Sequence, residues 1–259
     1  YFINIEILFN FLATVNIPIV WTFHDCWSFT GHCAMYEQIN CEKWKTACEK
    51  CPQINAYPKS WKTDRSIKNF RDKKKLFTSP KNMIIVSVSD WIENQVKDSF
   101  LKDIPTKVIK NGIDLDVFKF TESTLKEDLK LNGKKIILGV AHIWDERKGL
   151  NSFLELAKKI DSDYQIILIG LNKYQIDNLP TNITGILKMK NQKLLAQYYS
   201  MADVFVNTTE SEALGLTNIE ALACGTPIIT FKTGGSVECV FENTGFVVEK
   251  GDIDDIINK

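Results

Sequence analysis

The sequence predicts an α/β protein built from two blocks of parallel β-α units. Short β-branched runs alternate with amphipathic helical patterns, the mark of parallel sheets. The turn dipeptide Asn111-Gly112 separates the two blocks. With 259 residues, 44% of them hydrophobic and 25% charged, the chain has the size of one large domain or two ordinary ones and the balance of a soluble protein.

In the first block, Ile5, Leu8, Phe9 and Leu12 recur at helical spacing, and Ile17 to Phe23 has the pattern of a buried strand. A long cysteine-rich stretch with little periodicity follows. Met83 to Val88 predicts a second strand, and Trp91 to Phe100 the helix after it. Lys107 to Phe118 forms a hinge with a brief strand at Val108-Ile109. In the second block, Ile136–Ala141, Ile166–Ile169 (ending at Gly170), Val204–Val206 and Pro227–Phe231 predict strands. Leu150, Phe153, Leu154, Ala157 and Ile160 mark one helix face. Leu194–Met201 and a segment holding Ile219–Ala223 predict two more helices. The chain opens in a helix and stops inside one at Asp254–Lys259, so it is expected to be cut at both ends, with the first block incomplete. Right-handed β-α-β units place ligands outside the strands' carboxyl ends.

Thirty-two basic residues balance thirty-two acidic ones, which gives no reason to expect a nucleic-acid partner. No signal peptide and no run of about 20 apolar residues is present. The expectation is a cytoplasmic protein.

Two constellations carry chemistry. In the first, Glu212 and Glu220 stand eight apart, with Gly215 between them and a helix start near Thr217. Gly215 lets a backbone approach a ligand closely. The free N–H groups of residues 215–218 can face phosphate or sugar oxygens. A carboxylate, acceptor-only, grips vicinal hydroxyls such as those of ribose. Thr217-x-x-Glu220 is equally a capping box, and spacing alone leaves both open. In the second, the strand ending at Ala141 runs into His142-Ile143-Trp144-Asp145-Glu146-Arg147-Lys148-Gly149. Two cations at a helix N-terminus oppose its dipole. Either a diphosphate sits there, or Asp145 and Glu146 compensate them.

The first string, with its Glu-Ala-x-Ala-Cys-Gly-Thr-Pro tail (Glu220–Pro227), resembles the E-x7-E signature of the family 4 retaining glycosyltransferases. The resemblance implies a GT-B fold, two Rossmann-like parallel-sheet domains facing across a cleft: an acceptor-side domain over 1–110 and a donor-binding domain over 111–259. It implies transfer of a sugar from a UDP- or GDP-sugar to an acceptor hydroxyl with retention, in surface polysaccharide or glycoconjugate synthesis. The acceptor would be a glycan or lipid-linked, and no cofactor or obligate protein partner is required. It places Glu212 at the donor sugar, Glu220 at the ribose, and backbone N–H groups of Gly215, Leu216 and Thr217 at the sugar and distal phosphate. Lys148 and Arg147 become diphosphate ligands. His142 stands where the family has an arginine. Met189, within Lys188–Lys190, lies on the loop that contacts the base. Thr22-Phe23-His24-Asp25-x-Trp27 resembles the family's active-site histidine segment, which carries over His24 and, beside it, Asp25. Ser87-Val88-Ser89-Asp90-Trp91, Asn111-Gly112-Ile113-Asp114-x3-Phe118 and Gly234-Gly235-x2-Glu238 are further matches.

Cys33, Cys41, Cys48 and Cys51 are spaced x7, x6 and x2, which suits a structural zinc site pinning a loop with few packing residues. Cys26 and His32 are alternative ligands, and free buried thiols or disulfides remain open. Some members of the resembled family carry a similar Cys-rich insertion. Between Lys59 and Lys81, nine basic residues predict either a solvated helix face or attraction to an anionic membrane or lipid-diphosphate acceptor. Two rival classes are a nicotinamide-dependent dehydrogenase, which would need a G-x-G-x-x-G turn that 139–149 lacks, and a non-catalytic zinc-containing binding module.

Overall fold

Two separate parallel sheets organise the chain in a computed structural model, which describes residues 3–60 and 63–259. The chain divides into two compact units, Tyr1–Lys110 and Asn111–Lys259.

In the first unit, helix α1 (Ile5–Leu12) precedes strand β1 (Ile19–Phe23). Helix α2 (Ser66–Phe77), strand β2 (Met83–Ser87), helix α3 (Asp90–Asp98) and strand β3 (Thr106–Val108) follow. The sheet order is β1-β2-β3, with Ile19 paired to Met83 and Ile85 to Thr106. β1 begins two residues later than its apolar run, because Pro18 has no N–H for the ladder. Contrary to the expected buried strand, it alternates: Val20 is 65% exposed, while Trp21 turns inward. The Trp21 ring lies 5.0 Å from Phe9 of α1 and 4.8 Å from Phe77 of α2, which seats both helices on that face. Ser89 Oγ caps α3 by accepting from Ile92 N–H.

Among the described residues of 24–65, the regular structure is three short 3-10 turns, at Trp27–Phe29, Glu37–Ile39 and Lys43–Lys45. They are not short of packing groups, as the sequence suggested. Trp44 is buried between Phe29 (ring centroids 5.3 Å apart) and Tyr36 (4.9 Å). α2 supplies the anchor. Its Lys73 is buried, donates to Trp27 O (2.6 Å) and Thr30 O (2.9 Å), and stands 3.5 Å over the Trp27 ring. Burial pulls the Lys73 ammonium down to about 7. The basic stretch is therefore not uniformly solvated: Lys68, Arg71, Lys74 and Lys75 are exposed, but Lys73 is a core residue. Lys62 of that stretch lies outside the described residues.

The second unit opens with a single helical turn, α4 (Leu125–Asp128). Then come β4 (Lys135–Val140), α5 (Leu150–Lys159), β5 (Tyr164–Leu171), α6 (Lys173–Asp177), β6 (Ile183–Leu187) and α7 (Gln192–Met201). β7 (Val204–Asn207), α8 (Leu216–Ala223), β8 (Ile228–Phe231), β9 (Gly245–Val248) and α9 (Ile253–Asn258) complete it. All six strands are parallel, in the order β6-β5-β4-β7-β8-β9. Counted from β4 this is 3-2-1-4-5-6, the doubly wound order, and it reverses between β4 and β7. On one face of the sheet, Ile137 of β4 and Ile166 and Leu168 of β5 form a core with Phe153 and Leu156 of α5, while Ile136 and Leu138 of β4 are fully buried on the other. β5 runs through Gly170 instead of ending there. Among the described residues, no helix is long and apolar enough to cross a membrane.

Candidate functional site

A doubly wound sheet binds ligands outside its carboxyl edge where the strand order reverses. Here that point lies between the turn after β4 and the loop after β7. The two segments are stitched together. Glu210 N–H donates to Arg147 O (2.8 Å), and Thr208 Oγ1 donates to Gly149 O (3.1 Å). Arg147 Nη1 reaches Ser211 O (3.3 Å). From the β8 side, Thr233 Oγ1 donates to Thr209 O (2.7 Å) and Gly235 N–H to Glu212 O (2.9 Å). The loop that carries Glu212 is thus clamped from both sides.

The helices rising from these two segments begin alike. α5 starts at Gly149 (φ 76°) and α8 at Gly215 (φ 89°), both left-handed and both without a capping side chain. At Gly149 even a methyl group would sit 2.3 Å from Thr208 O, so the two segments can approach only with glycine there. First-turn N–H groups left without a side-chain cap, at the positive end of a helix dipole, form an anion site.

The two charges on the segments find each other. Lys148 Nζ lies 2.6 Å from Glu212 Oε2, both side chains about one-fifth exposed. Asp145 does not compensate the ammonium: its carboxylate accepts from the Lys148 backbone N–H. Glu220 does not cap α8 either, since that helix starts at Gly215 and the Glu220 carboxylate accepts from Tyr199 OH (2.8 Å). Burial pushes the Glu220 carboxyl up, and the Tyr199 bond pulls it part of the way back. On the other flank, the Lys188 ammonium lies 2.9 Å from His142 Nε2, joining the ends of β4 and β6. Met189 is half-buried on that loop, and Leu216 and Thr217 form the first turn of α8.

The structure brings Lys148, Arg147 and Glu212 together, and separately pairs His142 with Lys188. Sequence reasoning missed Tyr199 and the Asn207–Asn218 pair (2.8 Å), which ties the end of β7 to α8. Only the helical and strand patterns marked those positions. His24 belongs to the other unit, exposed after β1. Asp25 accepts from Trp27 N–H (2.8 Å) within its own turn, and burial pushes its carboxyl up.

Cys33, Cys41, Cys48 and Cys51, expected to hold zinc, come together in the first unit. The four line one small pocket, and Cys33 Sγ lies 3.7 Å from Cys51 Sγ. Yet no three His, Cys, Asp or Glu side chains among the described residues are arranged to hold a metal. Burial first, and the neighbouring thiols second, push the Cys33 thiol well above the usual range. Cys48 is packed on Gly31 and accepts its backbone N–H. None of the seven cysteines is joined in a disulfide.

Known proteins agree with this architecture. The chain is 28% identical to the putative colanic acid biosynthesis glycosyl transferase WcaC of Escherichia coli K12, over 98% of this chain and 62% of that protein. It is 27% identical to the capsular polysaccharide biosynthesis glycosyltransferase CapM of Staphylococcus aureus, over 68% of this chain and 50% of CapM. Thus it spans about half to two-thirds of the length of these relatives. Sucrose-phosphate synthase of Thermosynechococcus elongatus superposes with a TM-score of 0.72 at 22% identity, over 97% of this chain and 60% of that one. Anabaena Alr3699/HepE, solved with UDP-glucose, gives 0.64 at 19% identity, over 93% and 61%. The GT-B class expected from the sequence is the fold these neighbours share. The profile described as "Glycosyl transferases group 1" matches residues 121–259, which include both segments at the strand reversal, and the chain belongs to that family.

Proposed function

We propose that the chain is part of a retaining glycosyltransferase that moves a sugar from a nucleoside-diphosphate sugar to an acceptor hydroxyl. Residues 111–259 hold the donor, and residues 1–110 contribute the acceptor side with His24. The observation that carries this reading is the pair of uncapped helix starts, Gly149 and Gly215, flanking the Lys148–Glu212 contact at the strand reversal. Two open N-termini and a lysine suit a diphosphate. A carboxylate beside them suits sugar hydroxyls.

In this scheme Lys148 and Arg147 oppose the negative charge that builds on the departing nucleoside diphosphate. N–H groups of Gly215, Leu216 and Thr217 hold the distal phosphate and sugar. Glu212 accepts from the transferred sugar, Glu220 from the ribose, and His142 and Met189 border the phosphate and base. Catalysis rests on positioning and on stabilising the leaving group. HepE, solved with UDP-glucose, supports a uridine donor. A GDP-mannose-dependent relative in Corynebacterium glutamicum, 26% identical, supports a guanosine one. WcaC and CapM support a role in surface polysaccharide synthesis.

Thermal unfolding against UDP-sugars, GDP-sugars and NAD tests the reading. One sugar-nucleotide class raises the melting temperature, reflecting about 2.7 kcal/mol at a hundredfold excess over Kd. Lys148→Ala weakens that ligand about tenfold or more. Stabilisation by NAD alone would overturn the proposal.

A further inference from the structure

Glu220 is held by the core through one of its two carboxylate oxygens. Tyr199, fully buried on α7, donates its hydroxyl to Glu220 Oε2 at 2.8 Å. Oε1 has no hydrogen-bond partner among the described residues, and it is not sealed from solvent. The tyrosine has no freedom to follow a moving carboxylate. Its ring packs edge-on against Phe205 (5.5 Å) and Phe118 (6.2 Å), and its backbone carbonyl accepts from Thr226 Oγ1 (2.5 Å). One carboxylate oxygen is therefore fixed by the core, and the other is presented in a fixed direction.

We propose that Tyr199 is a positioning residue for ribose: it fixes Glu220 so that the free oxygen accepts from a ribose hydroxyl, making the chain selective for ribonucleotides over deoxyribonucleotides. This rests on the nucleotide-sugar reading above. A carboxylate is acceptor-only, so with Oε2 already taken it is the hydroxyl donors of the sugar that Oε1 is left to detect. A freely rotating glutamate would reach water or either hydroxyl and discriminate less. A purely structural bond between α7 and α8 would instead affect all ligands alike.

The test is calorimetric affinity of the 259-residue chain for UDP, 2′-deoxyUDP, GDP and 2′-deoxyGDP. Wild type prefers the ribose form of its nucleotide by about tenfold or more, the worth of a hydrogen bond to a charged group. Tyr199→Phe keeps the ring packing and lowers that ratio to within about threefold, with the deoxy affinity unchanged. Glu220→Gln lowers the ratio as well, and adding Tyr199→Phe to it produces no further loss, because the two act as one unit. A Tyr199→Phe protein that keeps the wild-type ratio, or that loses both forms equally, overturns the proposal. Wild type binding none of the four nucleotides overturns the nucleotide-sugar reading itself.

Discussion

The five strand-following helices of the second unit begin in two different ways. α6, α7 and α9 are closed by their own residues: Asn172, Asn191 and Asp252 each accept a first-turn N–H. α5 and α8 begin at left-handed glycines that offer no side chain. The open pair follows β4 and β7, the two strands that flank the reversal of strand order. A cap contributes about 1 kcal/mol to a helix. That contribution is absent where the fold expects a ligand and present elsewhere along the same sheet edge. What a helix lacks can therefore mark a site as well as what it carries.

Substitutions at these starts test the contrast. Gly149→Ala is expected to have the largest effect, more than about 3 kcal/mol in denaturant unfolding. Its methyl group would meet Thr208 O at 2.3 Å in a left-handed backbone. Gly215→Ala has more room, with the nearest atom, Asn218 Nδ2, at 3.1 Å. It should cost about 1–2 kcal/mol and also abolish the sugar-nucleotide shift in melting temperature. Asn191→Ala, at a closed start, should cost about 1 kcal/mol and leave the shift intact. If Asn191→Ala weakened the ligand as much as Gly215→Ala, the division into open and closed starts would carry no functional meaning.

Much of the second unit was legible because its strands are central and its helices amphipathic. β4, α5, β7 and β8 follow their apolar patterns to within a residue or two. β6 was not legible: Thr184 and Gly185 dilute its pattern, and most of it is only half-buried. Spacing singled out the glutamates and Lys148 as candidates, but it could not tell whether Glu220 caps its helix. That depends on Tyr199, 21 positions away. Lys73 shows the same limit in the first unit. Nothing local distinguishes it from its exposed neighbours Lys74 and Lys75, and only the carbonyls of Trp27 and Thr30 make it a core residue. Residues 24–65 pack through Phe29, Tyr36 and Trp44, which no period of 2 or 3.6 links.

The contact between Lys148 and Glu212 gives the turn after β4 a counter-ion from within the chain. An arriving anion has to compete with a tethered carboxylate, whose local concentration far exceeds that of any solute at ordinary levels. Chloride or a lone phosphate offers a single contact and gains little by the exchange. The proposed sugar nucleotide, with several linked groups, would engage the open helix ends at the same time and carry the lysine over as part of one event. On that proposal the ion pair would set an admission threshold, sorting solutes by how many bonds they can form together.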